Sequence, residues 1–173
     1  SKLKKTAESL LADSLRDRVQ YHVTRYGGPH LSQDMTRAWI TFDKEELADF
    51  STMKWLYNYY RLAHEIREVN HCQDYLDESQ KEGYYASYQQ ADTIMDQQGI
   101  YSRQGFIEAL EVYLQMSIEE AISSDNTIIR AISMLDRRVG KRRLRQIEFS
   151  ETEHPLVKRF YELRCDVEDI RAS

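Results

Sequence analysis

Six basic side chains crowd into nine positions of this chain: Arg137, Arg138, Lys141, Arg142, Arg143 and Arg145. The chain as a whole carries a net charge of −5, so the run reverses the global balance locally. Guanidinium and ammonium groups at that density neutralise phosphates by releasing counterions, or fork onto carboxylates as bidentate pairs. The run therefore marks either an anion-binding surface or one half of an internal contact. Acids for the internal contact are close in sequence. Glu148, Glu151 and Glu153 follow at once, and Glu162, Asp166, Glu168 and Asp169 stand further on, so that residues 136–173 hold ten basic and eight acidic side chains. If one helix continues across Gly140, then Arg138, Lys141, Arg142 and Arg145 share a face.

A second constellation is His64, Glu68 and His71. Spacings of four and three put these groups on one side of a helix. Two imidazoles and a carboxylate suit zinc or a similar divalent ion, which would give a metal-dependent hydrolase. One straight helix seldom angles three ligands onto one ion, and residues 64 and 71 lie about 10 Å apart along the axis. A metal site would therefore use two of them with His22, His30 or Asp74. The competing use is hydrogen bonding to neighbouring tyrosines and arginines. No phosphate-cradling glycine loop, nucleophile elbow or H-E-x-x-H motif occurs, so no cofactor is expected. Cys72 stands beside His71, but adjacent helical residues diverge by about 100° and make a poor nucleophile–base pair.

The element that carries this second constellation is itself informative. Ser51 is a good N-cap, and the helix it opens is expected to run from residue 52 to about 78. Trp55, Tyr59, Leu62, Ile66 and Val69 form the core-facing stripe. Met53, Tyr57, Tyr60, His64, Glu68, His71 and Tyr75 lie roughly opposite. A merely solvated face rarely holds so many aromatics. This helix is covered on two sides, or its second side is a working surface. Tyr84, Tyr85 and Tyr88, near Lys81, could stack bases or pack.

Elsewhere the chain reads as helix after helix. Residues 6–26 form a long amphipathic helix through Leu10, Leu11, Leu15, Val19 and Val23, stopped by Gly27-Gly28-Pro29. The competing reading makes Val19, Tyr21 and Val23 one face of a strand. Residues 38–42 have strand composition. Asp43 and Glu46 then open a helix as a capping box, or residues 43–46 turn between two strands. Gly83 breaks the pattern, residues 84–98 form a helix closed by Gly99, and Ser102 caps another through residue 115. Ser117 and Glu120 make a capping box. Asp125 or Asn126 caps a helix whose stripe is Ile128, Ile132, Leu135 and Val139, ended or kinked at Gly140. Ser150, Glu153 and Pro155 announce the last helix, with Leu156, Phe160, Leu163, Val167 and Ile170 on its stripe.

The whole is a single, mostly α domain spanning residues 1–173. It is expected to be compact and bundle-like, with six to seven helices, and residues 19–50 allow a small β-hairpin. At 41 % hydrophobic and 31 % charged, with two cysteines, it is a folded and not a disulfide-framed chain. Nothing spans a membrane and no signal peptide opens the chain, so a cytoplasmic location is the default. These features point to a non-enzymatic helical interaction or regulatory module. Its working surfaces are the basic cluster (Arg137, Arg138, Lys141, Arg142, Arg145) and the Tyr57/Tyr60/His64/Glu68/His71 face. A protein partner or homodimer fits best. A nucleic-acid binder is the alternative, opposed by the acidic total, and the metal-dependent hydrolase is a third reading.

Overall fold

The computed structural model describes residues 1–24 and 35–171. The expected Gly27-Gly28-Pro29 stop and His30 lie outside the described residues.

The long N-terminal helix is replaced by three short elements. Helix α1 spans Lys2–Ser9, a 3₁₀ turn spans Asp13–Leu15, and strand β1 spans Val19–Val23. Asp17 adopts a left-handed backbone conformation (φ 66°), which ends the helical course before β1. Val19 and Tyr21 are buried on one face of the strand, as the alternating reading requires. Strands β2 (Arg37–Phe42) and β3 (Glu45–Ser51) complete an antiparallel sheet in the order β1-β2-β3, with an irregularity between Ile40 and Thr41. Asp43 and Lys44 both have positive φ, 49° and 72°. This is the two-residue hairpin turn whose twist matches the strands, so the expected capping box at Asp43 and Glu46 does not form. Arg18 fixes the turn, donating from Nε and Nη2 to the Asp43 carboxylate at 2.9 and 2.7 Å.

Eight α-helices accompany the sheet among the described residues, more than the six or seven expected. Helix α2 starts at Thr52, capped by the Ser51 hydroxyl, but stops at Val69 and not near residue 78. Helix α3 (Glu78–Gln97) begins after a capping Asp77 and runs straight through Gly83. Gly83 does not break it. A Cβ there would stand 3.1 Å from the Cys72 side chain, so the glycine makes room for the chain leaving α2. Gly99, at φ 71°, follows the end of α3 and closes that helix as expected. Helices α4 (Arg103–Tyr113) and α5 (Ile118–Ile122) carry their expected caps at Ser102 and Ser117, the latter with the reciprocal Glu120 bond of a capping box.

Helix α6 (Thr127–Ser133) is capped by Asn126 and ends well before Gly140. Leu135 and Val139 are buried, but from an irregular stretch. Gly140 is the N-cap of a separate helix, α7 (Lys141–Gln146). Helix α8 (Pro155–Glu168) is capped by His154 in place of the expected Ser150.

Two hydrophobic clusters result. The larger one joins the inner sheet face to α4, α6 and α8, with Phe50 stacked on Phe106 at 4.4 Å and Ile128, Ile129 and Ile132 buried at its centre. The smaller one lies between α2 and α3 and has only four buried members among the described residues: Leu62, Ala63, Ala91 and Met95. Trp55, Tyr59, Ile66 and Tyr88 flank it. Val69, expected on the core stripe, is 77 % exposed because the helix ends there.

Candidate functional site

The basic run divides into two groups with different surroundings. Arg138 turns back onto Asp136, donating from its backbone N–H to Oδ1 at 2.8 Å and from Nη2 to Oδ2 at 2.7 Å. The Asp136 carboxylate is buried and also accepts the Tyr113 hydroxyl proton. Burial, then the neighbouring Tyr21 and the Asp136 charge, holds the Tyr113 phenol far above its ordinary range, so it stays a donor. Arg143 pairs with Glu119 at 2.9 Å. Arg137, Lys141, Arg142 and Arg145 are exposed and make no side-chain ion pair among the described residues. The shared face across Gly140 therefore does not exist. Arg138 belongs to the scaffold, while the others line a short helix and the turn before it. The expected acids on the last helix are not the partners of this run; Asp136 and Glu119 are.

What holds this segment in place was not singled out from the sequence. Arg164, 3 % exposed, projects from α8 beneath residues 134–140. Its Nη1 donates to the carbonyls of Met134 (3.2 Å) and Asp136 (2.9 Å), and its Nη2 donates to that of Val139 (2.8 Å). Glu168, one turn on, receives its Nε. A single fork thus reaches three carbonyls of a stretch that is not continuous helix, and only that of Asp136 also accepts a backbone donor, the Val139 N–H at 3.1 Å. The far side of the same stretch is stitched to the end of α1: Ala12 N–H donates to the Leu135 carbonyl at 2.9 Å, and Arg137 N–H to that of Leu10 at 2.8 Å. Arg164 sits at a charge on an otherwise apolar stripe, which is the only sequence signal of its role.

The second face is open. Tyr57 and Tyr60 are 69 % and 58 % exposed, and Met53, His64 and Glu68 are exposed with them. His64 Nε2 stands 3.2 Å from Glu68 Oε1. His71 does not join them on the helix. It lies beyond Val69 with φ 54°, in the turn that leads to α3. Among the described residues no group of three or more His, Cys, Asp and Glu side chains is placed to hold a metal ion.

From this face a run of rings crosses the hairpin. Tyr60 touches Tyr59 (centroids 5.5 Å), Tyr59 touches Tyr88 (5.4 Å), and Tyr88 touches Tyr84 (6.0 Å). Tyr84 in turn meets Tyr75 and Tyr85, both at 5.4 Å. Tyr59, Tyr84 and Tyr88 are half-buried, whereas Tyr60, Tyr75 and Tyr85 are about half exposed, at 58 %, 49 % and 56 %. The Arg67 guanidinium lies over Tyr84 at 4.6 Å and Tyr88 at 5.1 Å. The sequence marked both tyrosine clusters but not their continuity, because that depends on how α2 and α3 face each other.

Together these features define a mostly helical protein with a small antiparallel sheet and an aromatic helical hairpin, in which no helix of the described residues is long and apolar enough to cross a membrane. The SF0329 protein family model matches residues 1–165, and the chain belongs to that family. No curated protein and no solved structure matches it.

Proposed function

We propose that this protein is a non-enzymatic interaction module that binds a protein partner through the tyrosine-rich hairpin and the exposed cations of the basic segment. The observation that carries the reading is the exposure of Tyr57 and Tyr60 on a helix whose other side already packs on α3. Seven of the nine large hydrophobic side chains exposed among the described residues belong to this one hairpin, from Met53 to Tyr85. Concentration of apolar surface of that kind marks a docking face, and tyrosine supplies contact area at little entropic expense. Arg137, Lys141, Arg142 and Arg145 would orient an acidic group of the partner.

The test is affinity capture of partners from native lysate, with and without nuclease. Wild type is compared with Tyr57→Ala/Tyr60→Ala and with Arg137→Ala/Arg142→Ala/Arg145→Ala. A protein retained after nuclease and lost with either variant, while the far-ultraviolet circular dichroism stays unchanged, supports the module. Recovery that disappears with nuclease and depends on the arginine set alone would replace it with a nucleic-acid surface, whose affinity must fall steeply with salt.

A further inference from the structure

We infer that the partner is a second copy of this chain, joined head to tail: α7 of one protomer seats its cations on the tyrosine run of the next protomer's α2–α3 hairpin. The inference rests on the interaction-module reading and names the occupant of its surfaces. Both halves of the contact are present on one chain. The hairpin, residues 52–98, carries eight acidic and four basic residues and seven of the twelve tyrosines. Along the outer side of α3, Glu78, Glu82, Tyr85, Gln89 and Asp92 recur at steps of four and three and are all exposed. Glu82 and Asp92 make no ion pair among the described residues, where only Glu78 is engaged, by Lys81 at 3.3 Å. On the body, Lys141, Arg142 and Arg145 are equally unengaged.

The hairpin also shows how it would receive a guanidinium. Arg67 already lies over the faces of Tyr84 and Tyr88, with Nη1 reaching the Ser87 hydroxyl at 3.1 Å. Tyr60, Tyr75 and Tyr85 are the exposed continuation of that run and present further ring faces to an incoming arginine. Charge selects the arrangement. Two hairpins meeting about a twofold axis would oppose two acidic surfaces, and like charges across an interface are repulsive. Hairpin against α7 opposes unlike charges. Such a contact is heterologous, so each added protomer leaves one free hairpin and one free α7.

Sedimentation of the full chain in low salt and at raised salt tests this, using three proteins. Wild type should gain mass with concentration in low salt and lose it as salt is added. A hairpin variant (Tyr60→Ala, Glu82→Gln, Tyr85→Ala) and an α7 variant (Lys141→Ala, Arg142→Ala, Arg145→Ala) should each self-associate at least tenfold more weakly. Mixed, they should form a 1:1 heterodimer that grows no further, since each keeps one intact half. The substitutions are at exposed positions, and unchanged circular dichroism establishes that both variants fold. Wild type that remains monomeric at every concentration overturns the inference, as does a mixture no larger than its components. Self-association that survives in the α7 variant points to an isologous hairpin contact and overturns it too. If wild type is monomeric while lysate capture still depends on Tyr57 and Tyr60, the module reading stands and only the self-pairing fails.

Discussion

Arginine plays opposite parts at two places in this molecule, and burial tells them apart. Arg164 is enclosed, and burial lowers its affinity for the proton; the Asp136 charge opposes that effect. It is the donor to the Met134 and Val139 carbonyls of the irregular stretch before α7, and it shares that of Asp136 with the Val139 N–H. Arg142 is exposed on α7, and its side chain makes no hydrogen bond or ion pair among the described residues. Arg164→Met should therefore cost about 3–5 kcal/mol, the range for removing one member of a buried charged network. Arg142→Ala should stay within about 0.5 kcal/mol, as exposed substitutions usually do. Urea unfolding of the two variants decides the matter, and comparable losses would contradict this division of labour. The same contrast limits what the sequence conveys. The density of the 137–145 cluster is visible in the string of letters. That Arg138 folds back on a buried Asp136 is not, because it depends on Asp136 being carried inward by the stretch after α6.

At the scale of elements, local chemistry was legible wherever a cap or turn decides the outcome within a few residues. Ser51, Ser102, the Ser117–Glu120 box and Asn126 all act as their types suggest. Longer-range choices were not. Residues 6–26 have helical spacing, yet Val19, Tyr21 and Val23 pair with β2, and sheet pairing plus burial outweighs a weak local preference. Gly83 looks like a breaker until α2's exit passes against it. His154 shows the same limit from the other side. The Leu156 N–H donates to its Nδ1 at 3.0 Å, so that nitrogen carries no proton and Nε2 must be the donor to the Asp96 carbonyl at 2.7 Å. One imidazole thus caps α8 and ties it to the end of α3. His154→Asn keeps the cap and loses the reach to Asp96, while His154→Ala loses both. Alanine should be less stable than asparagine by about 1 kcal/mol, the usual worth of an N-cap. Equal melting curves for the two variants would show that the cap contributes nothing here.

Considered as a whole, the molecule is a large core with a lightly built hairpin attached. The sheet, α4, α6 and α8 share the larger cluster, whereas α2 and α3 rely mainly on each other and on four buried residues, two of them alanine. Burying a leucine or methionine side chain contributes roughly 1.5–3 kcal/mol. Leu62 and Met95 are therefore the chief large apolar anchors of 38 helical residues. The hairpin's base is held to the body at Thr52, whose hydroxyl accepts the Arg103 N–H at 3.3 Å, and through the Asp96–His154 bond. Its far end, around residues 70–77, is exposed except for Cys72. Local opening follows buried contact, so α2 and α3 should open at lower free energy than α6 and α8. Native-state hydrogen exchange should find the amides of residues 62–69 and 80–90 exchanging well before those of residues 128–133 and 157–165. A uniform exchange free energy across all four helices would mean that the two cores unfold as one. A partner seated on the tyrosine run would supply the burial that the hairpin lacks on its own. Adding the protein that docks there should slow exchange in α2 and α3 selectively, because a ligand bound only to the closed hairpin stabilises it by mass action. Exchange slowed equally in α6 and α8 would place the contact on the body instead.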